Sequence, residues 1–261
     1  MKPIRKKSSA AIQFAGAFLA AGVLLLAFSM LMELQVAAFV GLGLTFWGAV
    51  LALTRNSRYV ESSLLDGTAR ANYSTIDRIL NDLKYNGHGY YLSAYPQDVA
   101  LPEYLKSLKD PVVYISESFD GKPPIDELAA GKFISAQTRG IFITSPGAGI
   151  VTQVEQELKM DLSKINLNEL AELLPKCLTE SLNLAKNATI SLTPPEVTFK
   201  ATGIIYDSLY KPDKPKSVRI LGCPVVSAVA SALAKTSGKT VIVKEQVTSL
   251  GNSVNVTLDF V

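Results

Sequence analysis

A chain of 261 residues with one histidine and two cysteines cannot build a zinc site of the Cys/His type from its own side chains, and two cysteines are too few for a disulfide framework. Its formal charge of +3 gives no nucleic-acid footprint, because Lys2, Arg5, Lys6 and Lys7 against Glu33 account for the whole excess. The remaining 22 bases and 22 acids cancel, with their signs interspersed. The composition therefore implies no cofactor, no metal and no nucleic-acid partner.

Two uncharged apolar runs, Ser8 to Met32 and Leu34 to Thr54, are separated by Glu33 alone. Each exceeds the roughly 20 apolar residues that a helix needs to cross a hydrocarbon core. They predict transmembrane helices over about 9–32 and 35–54, with residues 1–56 as an anchor in the lipid bilayer. Only Met32 to Gln35 can form the turn, so the pair is an antiparallel hairpin. Bases precede the first helix, Arg55 and Arg58 follow the second, and the turn has none; the positive-inside rule puts both ends in the cytoplasm. A signal peptide is the competing reading, but its apolar region spans only about 7–15 residues and is not followed at once by a second span. Small residues four apart (Ala11 and Ala15, Gly16 and Ala20, Ala17 and Ala21, Gly48 and Ala52) permit close helix approach.

Tyr59, Val60, Leu64 and Leu65 continue helically until Gly67, within a neck over 57–86. Ser74 with Asp77 reads as a capping box, and Ile76, Ile79, Leu80 and Leu83 recur at helical spacing, predicting a helix from about Thr75 to Lys84 that ends at Asn86-Gly87. The soluble domain covers 87–261, with two possible subdomains meeting near 186. Gly89 to Ala94, Val112 to Ser116, and Lys132 to Thr144 with a turn at Arg139-Gly140 read as brief strands. Asp120 to Pro124 reads as a surface loop and His88 as a solvent-facing histidine.

Ile141 to Thr144 runs into Ser145-Pro146-Gly147-Ala148-Gly149 and then a helical pattern of Ile150, Val151, Val154 and Leu158. Strand, glycine turn and helix is the order that seats an anion on helix amides, which makes Ser145, Gly147 and Gly149 a candidate anion-binding turn. The Lys-Ser/Thr pair of a P-loop is missing and no G-x-G-x-x-G can be drawn; the competing reading is a tight turn set by Pro and Gly. Asn166 or Asn168 caps a further helix, whose stripe of Leu167, Leu170, Leu174, Cys177 and Leu178 predicts burial against a sheet, with Cys177 a small core residue.

Thr189 to Thr193 and Glu196 to Gly203 read as strands joined at Pro194-Pro195, and Lys211 to Lys216 as a solvated loop. Gly222-Cys223-Pro224 then opens an apolar helix bearing Val225, Val226, Ala228, Val229, Ala232 and Leu233. Pro224 fits its first position, which places Cys223 at the cap. Unpaired amides and the helix dipole would lower the thiol pKa there, making Cys223 the candidate reactive thiol; the apolar helix argues instead for a buried structural cap. Thr240 to Thr248 and Ser253 to Val261 form a hairpin turning at Gly251-Asn252.

The helical hairpin, the neck, the strand at Arg139 to Thr144 ending in Pro-Gly, the acidic helix with Glu155 and Glu157 and the Pro224-led helix together resemble an uncharacterised family of archaeal membrane proteins with two transmembrane helices and a cytoplasmic α+β domain. The C-terminal part also resembles the small-ligand-binding domains related to 4-vinyl reductase, through Gly238-Lys-Thr-Val241-Ile-Val243-Lys-Glu245 and the strand from Gly251 to Phe260. The cysteines of that family's last hairpin are replaced by Val247 and Val254 or their neighbours, so metal or redox sensing does not carry over. The fold class expected is α+β, a mainly antiparallel sheet with packed helices behind the membrane hairpin. The expected function is non-enzymatic binding of a membrane or cytoplasmic protein partner, or of a small ligand. The alternatives are a structural subunit of a larger membrane complex, and an enzyme using Cys223 or the Ser145 to Gly149 turn.

Overall fold

The computed structural model describes residues 10–53, 61–85, 87–94, 109–117, 123–135, 139–193, 195–249 and 252–261. Its first unit, through residue 60, contains two helices, α1 (Ala10–Met32) and α2 (Gln35–Leu53). Both are long and apolar enough to cross a membrane. Glu33 takes a positive φ of 53° to reverse the chain, and Ser29 Oγ donates to Leu34 O at 2.8 Å across the reversal. The helices meet on glycines. A Cβ on Gly22 would stand 2.6 Å from Thr45 N, and one on Gly48 would stand 2.7 Å from Leu19 N. Gly48 was expected at such a contact, whereas Gly16 has nothing within 4 Å of a built Cβ. Leu24, Leu31, Val36 and Phe39 point outward and are exposed.

The second unit begins at Glu61 and is α+β. It contains α3 (Ser62–Leu83), β1 (His88–Tyr91), β2 (Val112–Ser116), α4 (Ile125–Ala129), β3 (Ile134–Ser135), β4 (Gly140–Thr144), α5 (Ala148–Leu158), α6 (Leu167–Lys176), β5 (Asn187–Thr193), β6 (Glu196–Thr202), α7 (Ser217–Leu221), α8 (Pro224–Ser237), β7 (Val241–Ser249) and β8 (Ser253–Phe260). The strands form one antiparallel sheet in the order β3-β4-β2-β1-β7-β8-β6-β5. β5 and β6, which lie beyond residue 186, therefore share a sheet with β1 to β4.

α8 is the centre of the core. Every residue from Pro224 to Lys235 is buried, between α5 and α6 on one side and β1, β7 and β8 on the other. A helix apolar all round belongs inside. The stretch Ser217–Ser237 would meet the length and composition of a membrane span, yet most of it is buried in the core and it is broken at Gly222, whose φ is 69°. The break strands two buried carbonyls, a costly state without partners. Tyr91 Oη donates to Leu221 O at 2.5 Å and Tyr73 Oη to Gly222 O at 2.6 Å.

Tyr73 comes from α3, which differs from the helix predicted. It runs unbroken through Gly67 and Ser74, and Ser74 Oγ donates back to Arg70 O instead of capping. One glycine costs a helix about 1 kcal/mol, a cost outweighed by the burial of Ala69, Tyr73 and Leu80 and by polar anchors along the same face. Asp66 accepts from Ser208 N and Oγ, Arg70 pairs with Asp213 at 2.7 Å, and Asp77 accepts from the amides of Lys216 and Ser217 at the start of α7. The helix ends at its cap Lys84, in the left-handed conformation, where the predicted helix also ends; Asn86 of the expected stop lies outside the described residues. His88 opens β1 with its side chain exposed. Asp120, Gly121 and Lys122 of the expected loop, and Gly251 of the final turn, lie outside the described residues. The predicted helix from residue 167 passes at Cys177 into a π-helical turn, Cys177–Ser181, after Pro175 removes a backbone donor. Asn166 is its cap, in a full capping box with Glu169.

Candidate functional site

On the sheet face opposite α8, β1, β2 and β4 carry Tyr90, Val112, Tyr114 and Phe142, which pack with Leu92 and Leu128 as a second, smaller apolar cluster. The pairing Tyr114↔Phe142 brings those rings to 4.7 Å between centroids. α4, opened after Pro123-Pro124, contributes Leu128 to this cluster. Beside it lies a depression of about 250 Å³ lined by Val112, Leu128, Phe133 and Phe142 together with Asp110 and Lys132. Phe133, Ile134 and Ile125 are about half exposed, at 46%, 47% and 51%. An apolar concavity with a few polar groups is the usual form of a small-molecule or side-chain pocket. Sequence patterning missed it, because it depends on the β2–β4 register and on α4.

The two features singled out by sequence meet at the N-terminal half of α8. Cys223 is its cap and is 0% exposed. Tyr210 Oη donates to Cys223 Sγ at 3.0 Å. The lowering of the thiol pKa expected from the cap does not occur. Burial pushes it up, outweighing Tyr210 and the amides of Val225 and Val226. Burial likewise raises the phenols of Tyr73, Tyr91 and Tyr210, and it pushes Tyr206 up to about 12. Iodoacetamide should therefore leave Cys223 unlabelled in the native protein at pH 8 and alkylate it once the chain is unfolded in urea, as read by mass spectrometry; native labelling would contradict this packing.

Ser145, Gly147 and Gly149 form the predicted turn between β4 and α5, but its polar groups face inward. Ser145 Oγ lies 2.9 Å from Ser227 Oγ and 2.7 Å from Ser231 Oγ, both on α8. Gly147 N donates to Ser227 Oγ at 3.1 Å, so the amide an anion would use is already engaged. Gly149 is exposed. Ser227 also acts on the Tyr91 phenol, working to lower its pKa against the larger effect of burial.

Lys235, two turns further along α8, is buried with its side chain 3% exposed. Its ammonium lies 2.6 Å from Glu155 Oε1 and 3.1 Å from Asp161 Oδ1. Glu155 Oε1 also accepts from Leu162 N at 2.9 Å, and Thr236 Oγ1 donates to Leu162 O. The triad ties α5, the following 3₁₀ turn and α8 together beneath a shallow surface depression flanked by Thr152, Lys159 and Met160.

One family, described as a domain of unknown function (DUF7982), matches residues 3–260. The chain belongs to this family. No curated protein and no solved structure matches the sequence. The family assignment covers the hairpin and the sheet domain together, so both belong to the same unit of descent.

Proposed function

We propose that this member of the family is a membrane-tethered binding domain. In this reading the hairpin spans the bilayer, both ends and the soluble unit are cytoplasmic, and the depression between β2, β4 and α4 takes an apolar side chain of a partner protein or a small ligand. The observation that carries the reading is the half-exposed Phe133 and Ile134 beside an apolar hollow, since exposed apolar patches on soluble domains mark interaction sites. The basic arm before α1 and the uncharged outward faces of α1 and α2 support the anchor and its orientation. The archaeal provenance belongs to this proposal. So does the small-ligand option, which draws on the resemblance to 4-vinyl-reductase-type domains.

A subunit of a larger membrane complex is the second reading, favoured by the open small-residue surface at Gly16 and Gly43 on the hairpin. Purification in mild detergent separates the two. Phe133→Asp should lose a co-eluting protein or small molecule that the wild type retains, with at least about tenfold weaker capture because a central apolar anchor is removed. Unchanged capture would move the partner surface to the hairpin.

A further inference from the structure

β5 is an edge of the sheet. It pairs with β6 in an unbroken ladder from Asn187↔Thr202 to Thr193↔Glu196. Its inward row, Ala188, Ile190 and Leu192, packs against the core yet stays only partly buried, whereas the next inward row on β6, Val197, Phe199 and Ala201, is 2%, 0% and 2% exposed. Its outward row is Asn187, Thr189, Ser191 and Thr193, all exposed. Edge strands are ordinarily protected by brevity, charge, proline, a bulge or a covering helix or loop; here α6 packs against β5, and Lys176, Thr179 and Glu180 share a hollow with residues 186–189 at its start. The opposite edge, β3, is two residues long; β5 has seven residues and contains no charge, proline or glycine.

We propose that β5 is a self-association edge. Two copies pair β5 to β5, antiparallel about a two-fold axis through Ile190, and their eight-stranded sheets become one. Under that operation the strand is complementary to itself. Ile190 stands opposite its own copy, Ala188 meets Leu192, Thr189 meets Ser191, and Asn187 meets Thr193. Apolar groups oppose apolar ones on one face, polar oppose polar on the other, and no like charges are brought opposite. A second copy gives the half-covered row on β5 the neighbour that the row on β6 already has. In the membrane reading above, tethering to one bilayer adds a raised local concentration.

The test uses the full chain in mild detergent. Ile190→Cys should give a covalent dimer on oxidation, while Thr198→Cys, half-buried on the outward face of β6, should stay monomeric; the native cysteines are buried. Thr189→Lys with Ser191→Lys sets like charges across the axis and should weaken the dimer more than tenfold by light scattering. Thr189→Lys with Ser191→Glu changes the same positions, sets opposite charges across it and should keep the dimer. Three results overturn the proposal: a monomeric wild type with no cross-link at Ile190→Cys, equal cross-linking at Thr198→Cys, or a dimer indifferent to both double variants, which would put the contact elsewhere. A different protein found paired on β5 would overturn it equally.

Discussion

Lys235→Met should lower the stability of the second unit by about 3 kcal/mol, because removing one partner of a buried ion pair leaves the others uncompensated in a poorly solvated site. The figure sits at the low end of the range for buried pairs, since the carboxylate side chains of Glu155 and Asp161 keep 17% and 13% of their exposure. Urea unfolding followed by tyrosine fluorescence should show the midpoint fall by more than about 1 M with an unchanged slope. Methionine fills the space of the lysine stem, so the loss reports the charge and not a cavity. Adding Glu155→Gln and Asp161→Asn to Lys235→Met should recover part of the loss, because the isolated carboxylates are then gone. A midpoint within error of the wild type would mean that the triad contributes nothing net.

Gly147→Ala should be strongly destabilising. The added Cβ would stand 2.1 Å from Ala228 N and 2.5 Å from Ala228 Cα; both are backbone atoms of α8, so no rotamer change relieves the clash. Overpacking of this kind costs about 1–3 kcal/mol or more, and here it also pulls Gly147 N off Ser227. Gly149→Ala, two residues along in α5 with nothing within 4 Å of its Cβ, should be neutral or stabilise by up to about 1 kcal/mol through helix propensity. Thermal melts of the pair give a clear contrast. A turn that was an open anion cradle would tolerate the first change in the absence of ligand, so a wild-type melt for Gly147→Ala would sink the packed arrangement.

Much of the architecture was legible from local pattern. The hairpin follows from two uncharged runs with one acid between them. β6 and β8 follow from the alternation of Val197, Phe199 and Ala201 and of Val254, Val256 and Leu258, and the start of α8 from Pro224 after a cap. α3 was misjudged because Gly67 and Ser74 are local stop and start signals, while the groups that override them, at Ser208, Asp213 and Ser217, lie far along the chain. The candidate sites suffered the same limit. Lys235 has no local signature in the sequence; its carboxylate partner Glu155 is 80 residues away. Glycine and serine at 145–149 read as a cradle because the sequence does not show Ser227 and Ser231 arriving from α8 to take up the hydrogen bonds. The hollow beside Phe133 has no linear signature, since its walls come from three separate segments.

The sheet order also settles a question of parity. Strands from both sides of 217–237 in sequence lie next to each other: β7 pairs with β1, and β8 with β6. A third crossing of a bilayer at that stretch would deliver β7 and β8 to the opposite compartment from β1 and β6 and tear the sheet in two. The same residues that a translocating channel could accept as a stop-transfer segment are thus barred from that role by hydrogen bonds formed with strands made before them, and any crossings before β1 keep the whole sheet on one side.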